Sequence, residues 1–485
     1  MNIAPESRAR LERIPKNVRH IHLIGVAGSA MAALAGMLAE CRYHVSGSDH
    51  QLYEPAASLL RRAAIRTFSI YDAQNLAPAP DLVVVGNVIT RSNPEAAALL
   101  DSSIPYLSMP EALWHFFLHD KQVLMVAGTH GKTTSSAMMA RVLESAGRDC
   151  SMMIGGLALD FGANYRLGRG LDFVIEGDEY DTAFFDKGPK FLHYHPQGTI
   201  ITAVEFDHAD IYRDLTHVKQ SFRALANQLG TEQLLVACAD FPAALEVTED
   251  NRARRLTFGL NSGEFRAAEV ECNARGASFT IARNGRVISR RIELPIGGRM
   301  NVANALGVWL LLKEFGLADE DLANGLKRFS GVARRQEVVG EIAGITVIDD
   351  FAHHPTAIVA TLEAVAARYP GRRILAAFEP RSNSARRSVF QNGFAGAFDR
   401  ATRVYLGPVF FKENDPIPPD SRLNVERLAQ EISTRGPLAL ACNSLDEIAE
   451  RMLNDRQARD VMLCMSNGPF ENLPRRLLDG MGQSR

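Results

Sequence analysis

One short segment of the chain has the residue types that bind a nucleoside triphosphate. It follows the apolar run Val123–Val126 and precedes a helix-like stretch, and it reads Gly128, Thr129, His130, Gly131, Lys132, Thr133, Thr134. Glycines let backbone N–H groups approach phosphates, a lysine supplies charge, and a threonine hydroxyl can ligate Mg²⁺. The usual pattern has glycine where Val126 stands, so a bland turn is the alternative. The strand before and the helix after favour a phosphate cradle, Gly128–Thr134.

Carboxylates gather after the next predicted strand, Phe173–Ile175. They are Glu176, Asp178, Glu179 and Asp181. Carboxyl ends of strands are where α/β proteins bind ligands, and oxygen donors suit Mg²⁺. We favour Glu176 as a metal ligand by analogy with the second acidic group of other P-loop proteins. A solvated acidic loop is the alternative for each of the others, and the sequence does not select among them.

A histidine lies between two carboxylates after another predicted strand, Gly198–Ala203. The segment is Glu205-Phe206-Asp207-His208-Ala209-Asp210. His208 could bind a metal, position a substrate or close a loop, and spacing alone leaves these open. His193 and His195 are interpreted as structural because no third ligand is evident.

The N-terminal region has a second anion-binding pattern. A predicted strand, His20–Ile24, turns at Gly25 and Gly28 into a helix, and Asp49 follows the next strand. The pattern resembles a dinucleotide fingerprint without its third glycine. It predicts a diphosphate-bearing ligand at the helix start, with an ordinary tight turn as the alternative.

Composition bounds the class of protein. The chain has 485 residues, 46% hydrophobic and 23% charged, with a net charge of −2. These values are typical of a globular protein without the basic excess that nucleic-acid binding needs. Six scattered cysteines indicate neither a disulfide framework nor a zinc site. With no export or membrane-spanning segment recognised, we expect a cytoplasmic protein without a membrane partner, monomeric or weakly homo-oligomeric.

The pattern of strands and helices predicts an α/β protein of three domains. The boundaries that we expect are 1–119, 120–332 and 333–485. The first and third are predicted to be Rossmann-like, and the second is a P-loop ATPase-like domain. Short β-like runs at Ala277–Ala282 and Val287–Ile292, joined through Asn284-Gly285, predict a small antiparallel sheet appended to the second domain.

Five ordered motifs together resemble the Mur ligases of bacterial cell-wall synthesis, from about Ile21 to the end of the chain. The motifs are Gly128–Thr134, Glu176–Asp181, Glu205–His208, Asn301-x-x-Asn304 and Asp349–Thr356. Within the family, the resemblance is strongest to members that transfer a preformed peptide. It is carried by Glu205–Asp210, Phe351–Ile358, Glu379–Asn383 and Met465–Gly468.

The resemblance implies an ADP-forming amide ligase acting in peptidoglycan recycling, with ATP as substrate and Mg²⁺ as cofactor. It implies that the three domains bind UDP-N-acetylmuramate, bind ATP, and close over ATP and the incoming peptide. The implied catalytic residues are Lys132, Glu176, His208, Asn304 and Arg335. Thr133, Glu176 and His208 would hold metal, and the ATP site would consist of Gly128, Thr129, His130, Gly131, Lys132, Thr133, Asn304, Arg335, Asp350 and His353. The UDP-sugar site would consist of Gly25, Gly28, Ser29, Asp49, Asn87 and Thr90, and the peptide site of Arg381, Ser382 and Asn383.

The resemblance implies that the acceptor is the murein tripeptide L-Ala-γ-D-Glu-meso-diaminopimelate, and Arg381 offers a fork suited to one of its carboxylates. A structural arginine is the alternative. Two other functions stay open: ligation of a single L-alanine to the same sugar, and non-catalytic sensing of UDP-sugar and ATP. The sensor hypothesis rests on Met300 and Ala203, where the family commonly has histidine and asparagine. Lys219 is not assigned the role of the carbamylated lysine found in several relatives.

Overall fold

A computed structural model describes residues 4–410 and 417–483 of the chain. These residues divide into two compact units. The first unit contains the chain up to Val204, with Thr216–Thr257 and Gly307–Gly325. The second unit contains Glu205–Leu215, Phe258–Leu306 and the chain from Leu326. Within the described residues, no helix is both long enough and apolar enough to cross a membrane.

The N-terminal region is a parallel sheet, as expected from its apolar strands. Its strands are β1 (His20–Ile24), β2 (His44–Ser48), β3 (Arg66–Phe68), β4 (Leu82–Val85) and β5 (Tyr106–Ser108). Its helices are α1 (Pro5–Glu12), α2 (Ser29–Glu40), α3 (Ala56–Arg62), α4 (Pro94–Leu100) and α5 (Met109–Leu113). The strand order is β3-β2-β1-β4-β5, so the chain reverses its direction of travel between β1 and β4. Ligands of open α/β sheets bind at such a point.

The middle region contributes a second sheet to the first unit. The strands of this region are β6 (Gln122–Ala127), β7 (Ser151–Ala158), β8 (Ala163–Arg166), β9 (Asp172–Gly177), β10 (Asp181–Ala183), β11 (Asp186–Pro189), β12 (Gly198–Ile201), β13 (Leu234–Cys238) and β14 (Arg254–Gly259). Its helices are α6 (Lys132–Ser145), α7 (Leu215–Gln228) and α8 (Pro242–Glu246). Strands β10 and β11 pair with each other, in a separate two-stranded sheet. Strands β13, β12, β6, β9 and β7 run parallel in that order. Strand β8 pairs antiparallel with β7, a hairpin that the sequence reasoning missed.

The predicted Asn284-Gly285 hairpin is confirmed in the second unit. The strands are β15 (Phe265–Asn273), β16 (Gly276–Arg283), β17 (Arg286–Val287) and β18 (Ile292–Leu294). All pairings of β16 are antiparallel. The prediction of one strand from Val287 to Ile292 is wrong, because the chain leaves the sheet after Val287 and returns at Ile292. Two helices follow along the chain, α9 (Arg299–Glu314) and α10 (Asp319–Lys327), and residues 307–325 of this stretch belong to the first unit.

The C-terminal region is a six-stranded sheet in the second unit, with order β19-β20-β24-β21-β22-β23. The strands are β19 (Glu337–Ile342), β20 (Ile345–Asp350), β21 (Ile374–Phe378), β22 (Arg403–Leu406), β23 (Leu438–Ala441) and β24 (Val461–Met465). The helices are α11 (Pro355–Arg368), α12 (Gln391–Ala397), α13 (Val425–Ser433), α14 (Leu445–Asp455) and α15 (Leu473–Gln483). Alternate residues of the buried strands pack into two separate apolar clusters. Strand β19, which the sequence reasoning missed, is antiparallel at the edge.

Candidate functional site

The phosphate cradle is a strand-to-helix turn in the first unit, as predicted. Gly131 precedes α6 with φ +83°, and Gly128 has φ +135°. Both angles lie where side chains are strained, so glycine suits both positions. A Cβ on Gly128 would also overlap the hydroxyl of Thr202. The cradle is therefore a close-packed turn whose backbone N–H groups lie at the start of a helix.

Two residues after β12 fasten the cradle. The Thr129 N–H donates to the carbonyl of Ala203 at 2.8 Å. The Thr202 hydroxyl donates to the carbonyls of Ala127, at 3.2 Å, and of His130. The sequence analysis did not identify Thr202 as a residue of the site, although a polar residue directly after an apolar strand could have indicated one. The contact of Ala203 uses its backbone, so the side chain that relatives carry there is not needed for it.

Lys132 is paired with a carboxylate inside the cradle. Its Nζ donates to both oxygens of Glu179, at 2.9 and 2.8 Å, and to the carbonyl of Gly128 at 2.7 Å. Burial lowers the pKa of Lys132, but the carboxylates of Glu179, Glu176 and Asp178 outweigh it and leave that pKa raised. Lys132 therefore stays charged at the position where phosphate charge is expected.

The structure separates the roles of the acidic residues at the end of β9 and in the segment after it. Asp178 accepts a hydrogen bond from Lys190 at 2.6 Å, and Asp181 pairs with Lys187 at 3.2 Å. Glu176 is the neighbour of Val126 in the pairing of β9 with β6, so it lies beside the strand that leads into the cradle. The sequence analysis favoured Glu176 and did not select among Asp178, Glu179 and Asp181; the partner of Glu179, Lys132, lies 47 residues away in the chain.

Thr133 and Glu176 fit a magnesium ion by their donor chemistry, since Mg²⁺ prefers hydroxyl and carboxylate oxygens. The Gly155 N–H orients the Glu176 carboxylate by donating to it at 2.7 Å. A Cβ on Gly155 would lie 3.0 Å from that oxygen, so a glycine leaves room for this contact. His208 offers only nitrogen, which Mg²⁺ does not favour, and its predicted metal contact stays a prediction.

The predicted UDP-sugar residues lie at the carboxyl edge of the N-terminal sheet. Gly25 and Gly28 form the turn from β1 into α2, and Asn87 and Thr90 follow β4, so both segments flank the reversal point. Gly25 has φ +86°. One Asp49 oxygen accepts from the Ala27 N–H at 2.9 Å and the other from Tyr71 at 3.1 Å. Asp49 therefore shapes this turn, while its contact with ribose stays a prediction.

In the second unit, Asp350 organises the loop after β20. It accepts hydrogen bonds from the N–H groups of Gln336 and Ala352, both at 2.7 Å, and from the Thr361 hydroxyl at 3.1 Å. Burial raises the pKa of Asp350, although the guanidinium of Arg335 opposes that effect. These contacts give Asp350 a loop-shaping role that the sequence did not predict.

Histidines and an arginine surround the same loop. The His353 imidazole lies 3.8 Å from the Asp207 carboxylate, and its Nδ1 is 2.9 Å from the carbonyl of Phe351. Burial lowers the pKa of His353 although Asp207 raises it. The Arg335 guanidinium covers the Phe351 ring at 4.4 Å. A cation, a ring and a neutral imidazole are groups that can contact a nucleotide.

Asn304, in the second turn of α9, is buried, and its side-chain amide lies 3.5 Å from that of Asn301, whose own amide donates to the carbonyl of Gly297 at 2.8 Å. His208 adopts φ +54°, and its backbone N–H donates a hydrogen bond to the Asp207 carboxylate at 2.7 Å. Burial acts to raise the pKa of Asp207, because it disfavours the charged carboxylate. His208, His353 and other neighbours outweigh burial and hold that pKa well below its usual range. Asp207 therefore connects two of the predicted site residues, His208 and His353.

The fold and the cradle together define an α/β nucleotide-binding protein of P-loop type. Comparison with known proteins places it in a family. Residues 20–121 match the model "Mur ligase family, catalytic domain", residues 126–312 the "Mur ligase middle domain", and residues 334–468 the "Mur ligase, glutamate ligase domain". The chain belongs to the Mur ligase family, and its fold is the three-domain α/β fold of that family.

Relatives within the family have different acceptors in their names. The UDP-N-acetylmuramate–L-alanyl-γ-D-glutamyl-meso-2,6-diaminoheptandioate ligase of Haemophilus influenzae is 36% identical over 470 residues, which are 95% of this chain and 99% of the relative. The UDP-N-acetylmuramate–L-alanine ligase of Variovorax paradoxus is 31% identical over 95% of each chain. The crystal structure of a murein peptide ligase from Psychrobacter arcticus matches with a TM-score of 0.70 at 30% identity, covering 96% of this chain and 99% of the other.

Proposed function

We propose that this protein joins the tripeptide L-Ala-γ-D-Glu-meso-diaminopimelate to UDP-N-acetylmuramate at the expense of ATP, in cytoplasmic peptidoglycan recycling. The observation that carries the chemistry is Lys132, charged and held at the start of α6 inside the cradle. The similarity to the Haemophilus influenzae ligase supports the choice of acceptor. The three domains would have the boundaries 1–119, 120–332 and 333–485.

The reaction would have two steps. A carboxylate is a poor acylating agent, so the lactyl carboxylate of the sugar first attacks the γ-phosphorus of ATP, releases ADP and becomes an acyl phosphate. The peptide α-amine then attacks the acyl carbon, and inorganic phosphate leaves with one oxygen from the original carboxylate. The amine loses its proton as the amide forms.

Residues of the cradle would stabilise the charge that develops during phosphoryl transfer. The Lys132 ammonium and the N–H groups at the start of α6 would bind the γ-phosphate oxygens. Thr133 and Glu176 would hold Mg²⁺, which supplies positive charge to the phosphoryl oxygens when bound. Asn304 and Arg335 would bind nucleotide phosphates, and His353 would contact the ribose or the base.

A phosphate-release assay with matched variants tests this proposal. With ATP, Mg²⁺ and UDP-N-acetylmuramate, we expect wild type to release phosphate on addition of the tripeptide and much less with L-alanine. Replacement of Lys132 with alanine should lower kcat by about 10²–10³, the usual effect of removing one charge-stabilising donor. Lys219→Ala is the control, because Lys219 pairs with Glu246 outside the cradle.

Several outcomes would contradict the proposal. Equal phosphate release by wild type and Lys132→Ala would remove the cradle from the mechanism. Preference for L-alanine would make the protein an alanine-adding ligase, and no release with either acceptor would favour the sensor. Labelled oxygen in the lactyl carboxylate should appear in phosphate, and its absence would exclude an acyl phosphate.

A further inference from the structure

Two loops of the C-terminal sheet lie side by side because their strands are neighbours. The first loop, Glu379–Asn383, follows β21, and the second, Ser466–Gly468, follows β24. The two strands are parallel, with Phe378 opposite Met465, so both loops leave the carboxyl edge of the sheet together. We call them the paired loops. Ligands of α/β sheets bind at this edge.

Hydrogen bonds tie the paired loops into one surface. The Ser466 hydroxyl donates to Glu379 at 2.5 Å, and the Gly468 N–H donates to the same hydroxyl oxygen at 2.9 Å. The Arg334 guanidinium donates to the carbonyls of Ser466 and Gly468, at 2.7 and 2.6 Å. The second loop therefore has a fixed backbone against which the first loop is placed.

Two of the three predicted peptide-binding residues have local structural partners. The Ser382 hydroxyl accepts a hydrogen bond from the Ala385 N–H at 3.0 Å. The side-chain oxygen of Asn383, Oδ1, accepts one from the Arg386 guanidinium at 2.8 Å. Arg381 differs, because its side chain is 31% exposed while donating to Glu379 at 3.3 Å. Its guanidinium covers the Phe410 ring at 4.3 Å. Arg381 is thus the held, accessible cation of the paired loops.

Gly468 determines where Arg381 can lie. A Cβ at Gly468 would overlap Cδ and Nε of Arg381, so the side chain occupies the space that a larger residue would take. The atoms in the way belong to a flexible side chain rather than to backbone. An alanine at this position should therefore displace the guanidinium and leave the fold intact.

Asn467, between these residues, has a buried acceptor without a partner. Within the described part of the chain, its Oδ1 is shielded from solvent and makes no hydrogen bond. Buried polar atoms are rarely left in this state, and leaving one unpaired costs stability. The residue as a whole is partly exposed, and the terminal torsion of asparagine is soft. A small rotation would present this oxygen to an N–H donor outside the protein.

We propose that Asn467 and Gly468 select the acceptor of the ligation. Asn467 accepts a hydrogen bond from an N–H group of the acceptor peptide, and Gly468 keeps Arg381 in place for one of its carboxylates. The acceptor class is thus a peptide with a carboxylate beyond its reacting amine, which free alanine lacks at that distance. This inference rests on the proposed function, since it assigns specificity within the same reaction.

Steady-state kinetics with the tripeptide test both residues. Asn467→Ala should raise the KM for tripeptide about tenfold, the effect of one lost hydrogen bond, with kcat and the KM values for ATP and UDP-N-acetylmuramate unchanged. Its Tm should stay the same or rise, because the orphan acceptor is gone. Asn251→Ala is the matched control, since both polar atoms of that amide are also unpartnered within the described residues. It should leave the KM for tripeptide unchanged.

A double-mutant cycle tests the dependence on Arg381. Gly468→Ala and Arg381→Ala should each raise the KM for tripeptide at least tenfold, and Gly468→Ala should add nothing once Arg381 is alanine. Gly482→Ala, an exposed helix position with open space around it among the described residues, is the control.

Two results are kept apart by this design. If wild type uses the tripeptide and both Asn467→Ala and Gly468→Ala keep its KM within twofold, this inference is overturned and the proposed function stands. Independent effects of Gly468→Ala and Arg381→Ala would also overturn it. If wild type does not use the tripeptide, the proposed function is wrong and this inference falls with it.

Discussion

The pair formed by Lys132 and Glu179 should stabilise the first unit as a coupled pair. Lys132 is largely buried and Glu179 is buried, with 13% and 2% of their side-chain surfaces exposed, and the nearest atoms are 2.8 Å apart. Glu179→Gln removes the negative charge at nearly constant shape, and Lys132→Met removes the positive charge at similar length. Either change alone removes the nearest opposite charge from the other member of the pair, while the double variant removes both charges of the pair.

The expected magnitude follows from burial. At 2.8 Å and an effective dielectric constant of about 20, two unit charges attract by roughly 6 kcal/mol, which the cost of removing both from water largely offsets. Removing one partner of a buried pair costs about 3–5 kcal/mol, because the other charge stays buried. The double variant should cost no more than either single variant. The coupling energy should therefore be at least about 3 kcal/mol.

Urea unfolding followed by tryptophan fluorescence measures this coupling selectively. The chain has two tryptophans, and both Trp114 and Trp309 are buried residues of the first unit, which also holds the pair. The control is the pair of Lys187 and Asp181, 3.2 Å apart with side chains 68% and 30% exposed, where a coupling below about 1 kcal/mol is expected. Additive losses for Lys132→Met and Glu179→Gln would refute the reasoning.

Three further predictions concern other parts of the molecule. Gly128→Ala should abolish ATP binding in calorimetry and destabilise the protein more than Gly147→Ala. Both glycines have a positive φ, but of these two only Gly128 has described atoms in the space that a Cβ would take. Burial lowers the pKa of His195 from 6.5 to about 4, so the folded protein holds this imidazole neutral. The free energy of unfolding should therefore keep its full His195 contribution above pH 6.5 and fall by on the order of 3 kcal/mol as the pH drops to 4. His195→Asn should flatten that dependence in urea titrations, and an unchanged slope would contradict it. Asp350→Ala leaves three hydrogen-bond donors unpaired and should lower the free energy of unfolding by about 3–5 kcal/mol, as measured by denaturation followed by circular dichroism. A decrease below about 1 kcal/mol would show that water replaces the carboxylate.

Local sequence determined the strands and turns that carry the site. Strand β1 has the predicted limits, His20–Ile24, because it is a short apolar run followed by a turn at Gly25. The cradle was predictable for a related reason, because everything that it needs lies within a few residues. Its glycines permit the positive φ angles of the turn, and Lys132 supplies the positive charge for phosphate. The resemblance to Mur ligases, carried by ordered motifs, was likewise available from sequence, and the family matches confirm it.

Edge strands were not predictable in the same way. Strands β8 and β19 have no strong apolar alternation, and they are strands because a neighbour supplies hydrogen bonds to their backbone. The break between Val287 and Ile292 has the same origin, because only the pairing with β16 decides which residues remain in the sheet.

Only the tertiary structure decided the partners of the charged and polar side chains. Glu179, rather than Asp178 or Asp181, holds Lys132, and 47 residues separate that pair in the chain. Gly468 meets Arg381 because β21 and β24 are neighbours in the sheet. Local conformation depends on residues a few positions apart and can be inferred from sequence, whereas charge pairing depends on which distant segments the sheet order brings together.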